Sequence, residues 1–294
     1  MPETKLAIMG PTASGKSGLA VAVARRIGGT VVNGDPFQAY RELPLGTGQP
    51  AEDERQGVPH LGYGLLELSD QVNPVAFGER VRSWLQCPQP VLVTGSGLYL
   101  RGIWGQLSDL PPVPEALSAR VRLWSDLLGG PVLHRFLAAV DPIRAAALHP
   151  NDRSRIQRAL ALHLATGRRA SQLLDGIEHG LPHGWRALLV LPSRERQRAR
   201  VAARVRQMLS QGWPAEVARL RDAGLEPDLR RLRPLGYEAL LDGSRGAGAR
   251  IIQETQAYAK RQGTFFRNQW PGVPTWDPDA EPLEVAFDRL GIPS

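Results

Sequence analysis

Nine residues, GPTASGKSG at positions 10–18, constrain this chain more than any other stretch. Gly10, Gly15, Lys16 and Ser17 fill the spacing G-x-x-x-x-G-K-[ST], with the apolar run LAIM before them and the helix-patterned SGLAVAVARRIG after them. A loop of this kind between strand and helix turns its backbone N–H groups toward an anion. The helix start adds positive dipole, the lysine neutralises charge, and the hydroxyl can hold Mg²⁺. The loop therefore predicts both a phosphate site and the first crossover of a parallel sheet.

The neighbouring pattern agrees with that topology. KLAIM, TVVNGD (30–35) and PVLVTG (90–95) are short apolar runs bounded by turn residues, the signature of strands buried on both faces. The helical stretch between the first two closes at Gly28 and Gly29. After Gly105 a proline-rich linker leads into helical periods, with no strand pattern until WRALLVLP (185–192). Within that stretch Asp152 can cap a helix striped by Ile156, Leu160 and Leu164 and stopped by Gly167. The expected fold class is α/β: a P-loop-type core with a parallel sheet flanked by helices (1–112 and 184–294), plus an all-α insertion (113–183).

Composition narrows the function classes. Cys87 is the only cysteine, which excludes an intrachain disulfide and a thiolate zinc site and suits a reducing compartment. The six histidines are scattered, and the closest pair, His179 and His183, flanks Gly180 and Pro182, a poor frame for a helical metal site. No apolar run approaches the roughly 20 residues that span a bilayer, and no leader is recognisable, so a cytoplasmic protein is expected. The net charge of +7 favours a polyanionic partner, and with only three lysines nearly all of that charge is arginine. A GC-rich genome would also raise arginine. Between Arg186 and Arg233, however, twelve arginines stand against five acids, and Arg196, Arg200 and Arg204 recur at i, i+4, so an anion is expected on that face.

The ordinary reading of such a loop is ATP binding in a hydrolase or kinase, with a second acid for Mg²⁺ at the end of a later strand. Here PVLV ends in Thr94, Gly95 and Ser96. The carboxylate stands instead after the second strand, as Asp35 in NGDPFQAY. An acid at a strand's carboxyl end in a doubly wound sheet points into the ligand crevice, although an Asx turn or helix cap would also place one there.

With GPTASGKS, GDPFQAYRELPLGTGQP, TGSGLYLRG, DPIRAAALHPNDRSRIQRAL, RPLGYEAL and AKRQGTFFR in view, nearly the whole chain resembles the tRNA dimethylallyltransferases. These isopentenyltransferases prenylate the adenosine immediately 3′ of the anticodon. The resemblance implies that the loop holds the diphosphate of dimethylallyl diphosphate, which accounts for the missing acid. It implies that Gly10, Thr12, Ala13, Ser14, Gly15, Lys16 and Ser17 form the diphosphate site, with Ser17 the Mg²⁺ ligand and with Arg194, Arg200 or Arg204 in reach. Asp35 would face the adenine amine, and Ser96 would stand beside the reaction channel. Contacts with the anticodon stem-loop fall on Asp35, Pro36, Phe37 and Gln38 and on Ser96. In the insertion they fall on Ser154, Arg155, Ile156, Gln157 and Arg158. Toward the carboxyl end they fall on Arg233, Gly236 and Tyr237 and on Lys260, Arg261, Gln262, Thr264 and Arg267.

Six positions depart from the family pattern: Pro36 for serine, Gln49 for lysine, Gly62 for histidine, Ser96 for threonine with the hydroxyl kept, Phe265 for tryptophan and Ser193 for an acid. The implied chemistry asks Lys16, the loop amides and Mg²⁺ to neutralise the leaving diphosphate while an ionised Asp35, with no raised pKa, accepts the amine proton. Phe37 or Tyr40 would stack on the flipped base or pack in the core, and Gln38 would read its edge. A monomer is expected. A P-loop kinase, a noncatalytic RNA-binding protein and an adenylate isopentenyltransferase are the rivals. The helical insertion and the KRQGTFFR segment favour tRNA over a free nucleotide.

Overall fold

The computed structural model describes residues 5–70, 72–107, 110–174 and 180–293. Four of its strands grow from the apolar runs above: β1 (Lys5–Met9), β2 (Thr30–Asn33), β4 (Pro90–Thr94) and β5 (Trp185–Val190). Two further strands are only two residues long, β3 (His60–Leu61) and β6 (Thr275–Trp276). All pair in parallel, in the order β3-β2-β4-β1-β5-β6, with β1 in the interior.

Alternation along the strands divides the core in two. Ala7, Met9, Val32, Leu92 and Leu189 pack on one face with Phe77, Val201, Val205 and Phe266. Leu6, Ile8, Val91, Val93 and Leu188 pack on the other with Leu19, Val23 and Leu290. Helices thus cover both faces of a parallel sheet, as its unbroken apolar strands require. A consequence for the site is that the loop after β1 and the segments after β2 and β4 emerge at the same carboxyl edge.

The chain divides into two compact units, Met1–Gly105 with His179–Ser294 and Gln106–Glu178. The second contains helices only among its described residues, built around Val121, Leu133, Leu137, Ile156 and Leu160. Asp152 accepts from the Arg155 N–H at 3.3 Å to open the helix Arg153–Thr166, and Gly167, with φ 69°, closes it in the left-handed conformation. No helix among the described residues is long and apolar enough to cross a membrane.

Candidate active site

The loop after β1 is shaped by backbone that most residues avoid. Ala13 (φ 58°) and Gly15 (φ 94°) are left-handed, and the helix Lys16–Ile27 starts directly behind them. Gly10 has no room for a side chain, because a Cβ would stand 2.6 Å from the Val190 carbonyl oxygen. Ser14 is fully buried and its hydroxyl has no protein partner. Lys16 Nζ donates to the Pro11 carbonyl at 3.3 Å, and Ser17 is exposed in the helix's first turn.

Two buried glutamines hold this loop from behind. Gln262, on the helix Ala247–Gln269, accepts from the Thr12 N–H at 2.9 Å and donates to the Gly95 carbonyl at 2.7 Å. Gln197, on the helix Arg194–Ser210, donates to the Thr12 carbonyl at 3.3 Å. Gln197 was not legible in the sequence, because its amide gives no signal of its own in a run of arginines. Both ends of the Gln262 amide are used within the protein, so its side chain braces the loop and has little left to offer RNA.

Beside the loop, the chain leaves β2 through Asn33, whose amide donates to the Asp35 and Gly62 carbonyls at 2.9 and 2.8 Å and whose oxygen accepts from Asp35 N–H at 2.8 Å. Asp35 then caps the 3₁₀ turn Pro36–Ala39, accepting from the Phe37 N–H at 3.1 Å. Pro36 occupies the first position of the turn, where an N–H would be idle, so its departure from serine leaves the cap intact. The cap and crevice readings of Asp35 therefore coexist. The same carboxylate lines a cleft of about 100 Å³ with Thr12, Ala13, Phe37, Arg204, Met208 and Tyr258. Tyr40 is buried, with its hydroxyl on the Asp70 carbonyl at 3.2 Å, so it packs and does not stack on a base.

The electrostatics of this cleft correct one expectation. Burial pushes the Asp35 carboxyl above the ordinary 3.8, against the opposing pull of Lys16, the Phe37 and Gln38 N–H groups and Arg204. An acid with an unshifted pKa is therefore not what the site contains. Burial, and then the neighbouring Arg204, bring Lys16 down to about 8, while Asp35 acts in the opposite sense. Arg204 is itself lowered by burial, yet a guanidinium stays protonated in proteins.

Of the arginines on the basic helix, the structure separates three kinds. Arg204 reaches the cleft. Arg200 donates to the Ser14 carbonyl at 3.2 Å and pairs with Asp279 at 2.5 Å, so it edges the loop. Arg194 is exposed and lines a second, basic cleft of about 570 Å³ with Arg198, Lys260, Thr264 and Arg267.

The RNA candidates divide in the same way between surface and interior. Ser154, Arg155, Arg158, Arg233, Lys260, Arg261, Thr264 and Arg267 are exposed, and Arg261 lies over the Tyr258 ring at 5.8 Å. Ile156 and Tyr237 are buried, and Gly236 adopts φ 88° against the Trp213 indole, so these three shape backbone and core and present no side chain to a partner. Gln157 is half-buried. Gln38 donates its amide to the Thr47 and Gly48 carbonyls at 3.1 and 2.9 Å. Ser96 donates its N–H to the Thr94 hydroxyl at 3.0 Å, at the start of the helix Gly97–Ile103.

Among the described residues no cluster of three or more His, Cys, Asp or Glu side chains could hold a metal, and His179 lies outside those residues. Mg²⁺ needs no such cluster when a phosphate is present. It keeps several waters and takes one or two protein oxygens, a demand that the exposed Ser17 hydroxyl at the loop's end fits.

Comparison with known proteins places these features in context. The model of the IPP transferase family matches residues 38–269, and that of isopentenyl transferases matches residues 4–61. The tRNA dimethylallyltransferase of Rhodospirillum centenum is 40% identical over 293 residues, covering 95% of this chain and 93% of the relative. That of Methylobacterium radiotolerans is 40% identical over 289 residues, 94% of each. Among solved structures, the full-length tRNA isopentenylpyrophosphate transferase of Bacillus halodurans superposes with a TM-score of 0.67 at 28% identity, over 98% of this chain and 97% of that one.

Proposed function

This chain belongs to the IPP transferase family, and from that premise we propose that it moves a dimethylallyl group from dimethylallyl diphosphate to tRNA. The acceptor is the exocyclic N6 amine of the adenosine 3′-adjacent to the anticodon, and diphosphate is released. The observation that carries this reading is the Asp35 cleft itself: a carboxylate, an arginine and a phosphate-type loop share one small, mostly apolar space. A kinase would have used the loop with an acid after β4, where Thr94 instead ties its hydroxyl to the Gly34 carbonyl at 2.8 Å.

The chemistry follows from what each group can do. An adenine amine is a weak nucleophile because its lone pair is delocalised, so the barrier falls chiefly through stabilising the leaving diphosphate. Lys16, the loop amides and Arg204 supply positive charge there. Bound at Ser17, Mg²⁺ would add charge neutralisation to the diphosphate oxygens. As the carbon–nitrogen bond forms and the carbon–oxygen bond breaks, Asp35 takes the amine proton. Its upward shift makes it a stronger base, and Lys16 and Arg204 help keep it ionised. Phe37, Met208 and Trp213 shield the allylic carbons from water. A cytoplasmic monomer acting on free tRNA suits this chemistry. Transfer of labelled dimethylallyl to unmodified tRNA tests the reading directly, and transfer of a γ-phosphate in its place would refute it.

A further inference from the structure

Behind the cleft sits a buried carboxylate that the chemistry above does not use. Glu216, on the helix Trp213–Asp222, is 2% exposed. Its Oε2 accepts from the Leu45 N–H at 2.9 Å, and its Oε1 accepts from the Gly46 N–H at 3.3 Å and from the Tyr237 hydroxyl at 2.6 Å. Pro44 opens the short helix Pro44–Thr47, so the carboxylate grips the first two amides which that turn possesses. A buried carboxylate held by two amides and a phenol costs desolvation that apolar packing would avoid. Its distinguishing feature is what the gripped turn does next.

Gly46 and Thr47 line the cleft, and the Gly48 carbonyl accepts from Arg204 Nη2 at 3.3 Å and from the Gln38 amide at 2.9 Å. Neither glycine admits a side chain. A Cβ on Gly46 would collide with the Trp213 indole and the Tyr237 ring, and one on Gly48, at φ 64°, would collide with the Arg204 guanidinium. Trp213 and Tyr237 pack edge to face, ring centroids 5.4 Å apart, which fixes the wall against which the turn rests. A continuous series of contacts thus runs from Glu216 through residues 44–48 to the guanidinium beside Asp35.

We propose that Glu216 is a positioning residue for the transfer reaction: it pins residues 44–48 so that the Gly48 carbonyl seats Arg204 against the diphosphate. The inference rests on the reading that the Asp35 cleft carries the transfer. In Glu216→Gln an amide NH₂ must face a donor it cannot accept from, and the turn loosens. Because Arg204 acts on charge that grows in the transition state, the loss falls on kcat, on the order of tenfold, with KM for tRNA changed less than about twofold.

The test is a double-mutant cycle on the full chain, using dimethylallyl diphosphate, Mg²⁺ and unmodified tRNA. Wild type, Glu216→Gln, Arg204→Lys and the double variant are compared in kcat and KM, with melting curves alongside. Transfer by the wild type establishes the premise separately, and its absence overturns premise and inference together. With Arg204 replaced, Glu216→Gln should cost no more than about a further twofold, because the group it positions has lost its fork. Losses that simply multiply overturn the proposal, whatever the melting curves show. If Glu216→Gln does not fold, Tyr237→Phe enters the cycle in its place: it removes one donor, leaves both amides held, and is judged by the same criterion.

Discussion

Lys16 is the residue at which the electrostatics of the site become measurable. Its pKa near 8 arises from burial and the adjacent Arg204, so raising the pH through about 8 discharges it in the ligand-free protein. A bound diphosphate restores the favour for the charged form. Binding at and above that pH therefore takes up a proton, and affinity for dimethylallyl diphosphate falls as pH rises. Calorimetry in buffers of different ionisation enthalpy reads the uptake directly. Lys16→Arg should abolish it, because an arginine remains protonated throughout. The role of Arg204 was open in the sequence, where the resemblance put Arg194, Arg200 or Arg204 in reach of the diphosphate. Arg200 and Arg204 share a face one turn apart, so position along the helix axis separates them, and the spacing leaves undetermined which turn meets the loop and which the cleft until the helix is seated on the sheet.

At the scale of elements, capping and register explain where legibility ended. β1, β2, β4 and β5 were visible because apolar runs of four to six residues are bounded by turn residues. β3 and β6 have two residues each, too few for any period, and exist only because β2 and β5 offer them edges. The pattern placed Asp35 at a strand end, but its raised pKa depends on cleft walls brought in by residues 201–213 and 258, which no local reading assembles. The helical unit offers a separate test. Asp141, 1% exposed, accepts from Ser171 N–H and hydroxyl at 2.8 and 2.7 Å and from Arg144 N–H at 3.0 Å. Burial alone would raise its carboxyl, yet these donors hold it below 3.8. A depressed carboxylate stabilises the fold above its unfolded pKa, and that contribution disappears as pH falls below 3.8 through the lower folded value. Asp141→Ala should destabilise by about 1–3 kcal/mol at neutral pH, seen as a lower melting temperature, and the gap from wild type should close in acid.

For the whole molecule, a core that collects loop, carboxylate and arginine at one edge of a parallel sheet is combined with an arginine-rich surface and a charge of +7. If about six phosphates are neutralised, log affinity for tRNA should fall against log salt with a slope of roughly −4 to −5. A flat dependence in a filter-binding titration would contradict a phosphate grip. Whether Asp35 accepts the proton of the attacking amine is decided by one comparison. Radiolabelled dimethylallyl diphosphate, Mg²⁺ and unmodified tRNA are incubated with wild type and with Asp35→Ala, after folding and tRNA binding have been verified for both. If Asp35 is the base, the wild type labels tRNA and the variant loses about 10²–10⁴ in kcat. Equal labelling by the two proteins would contradict it.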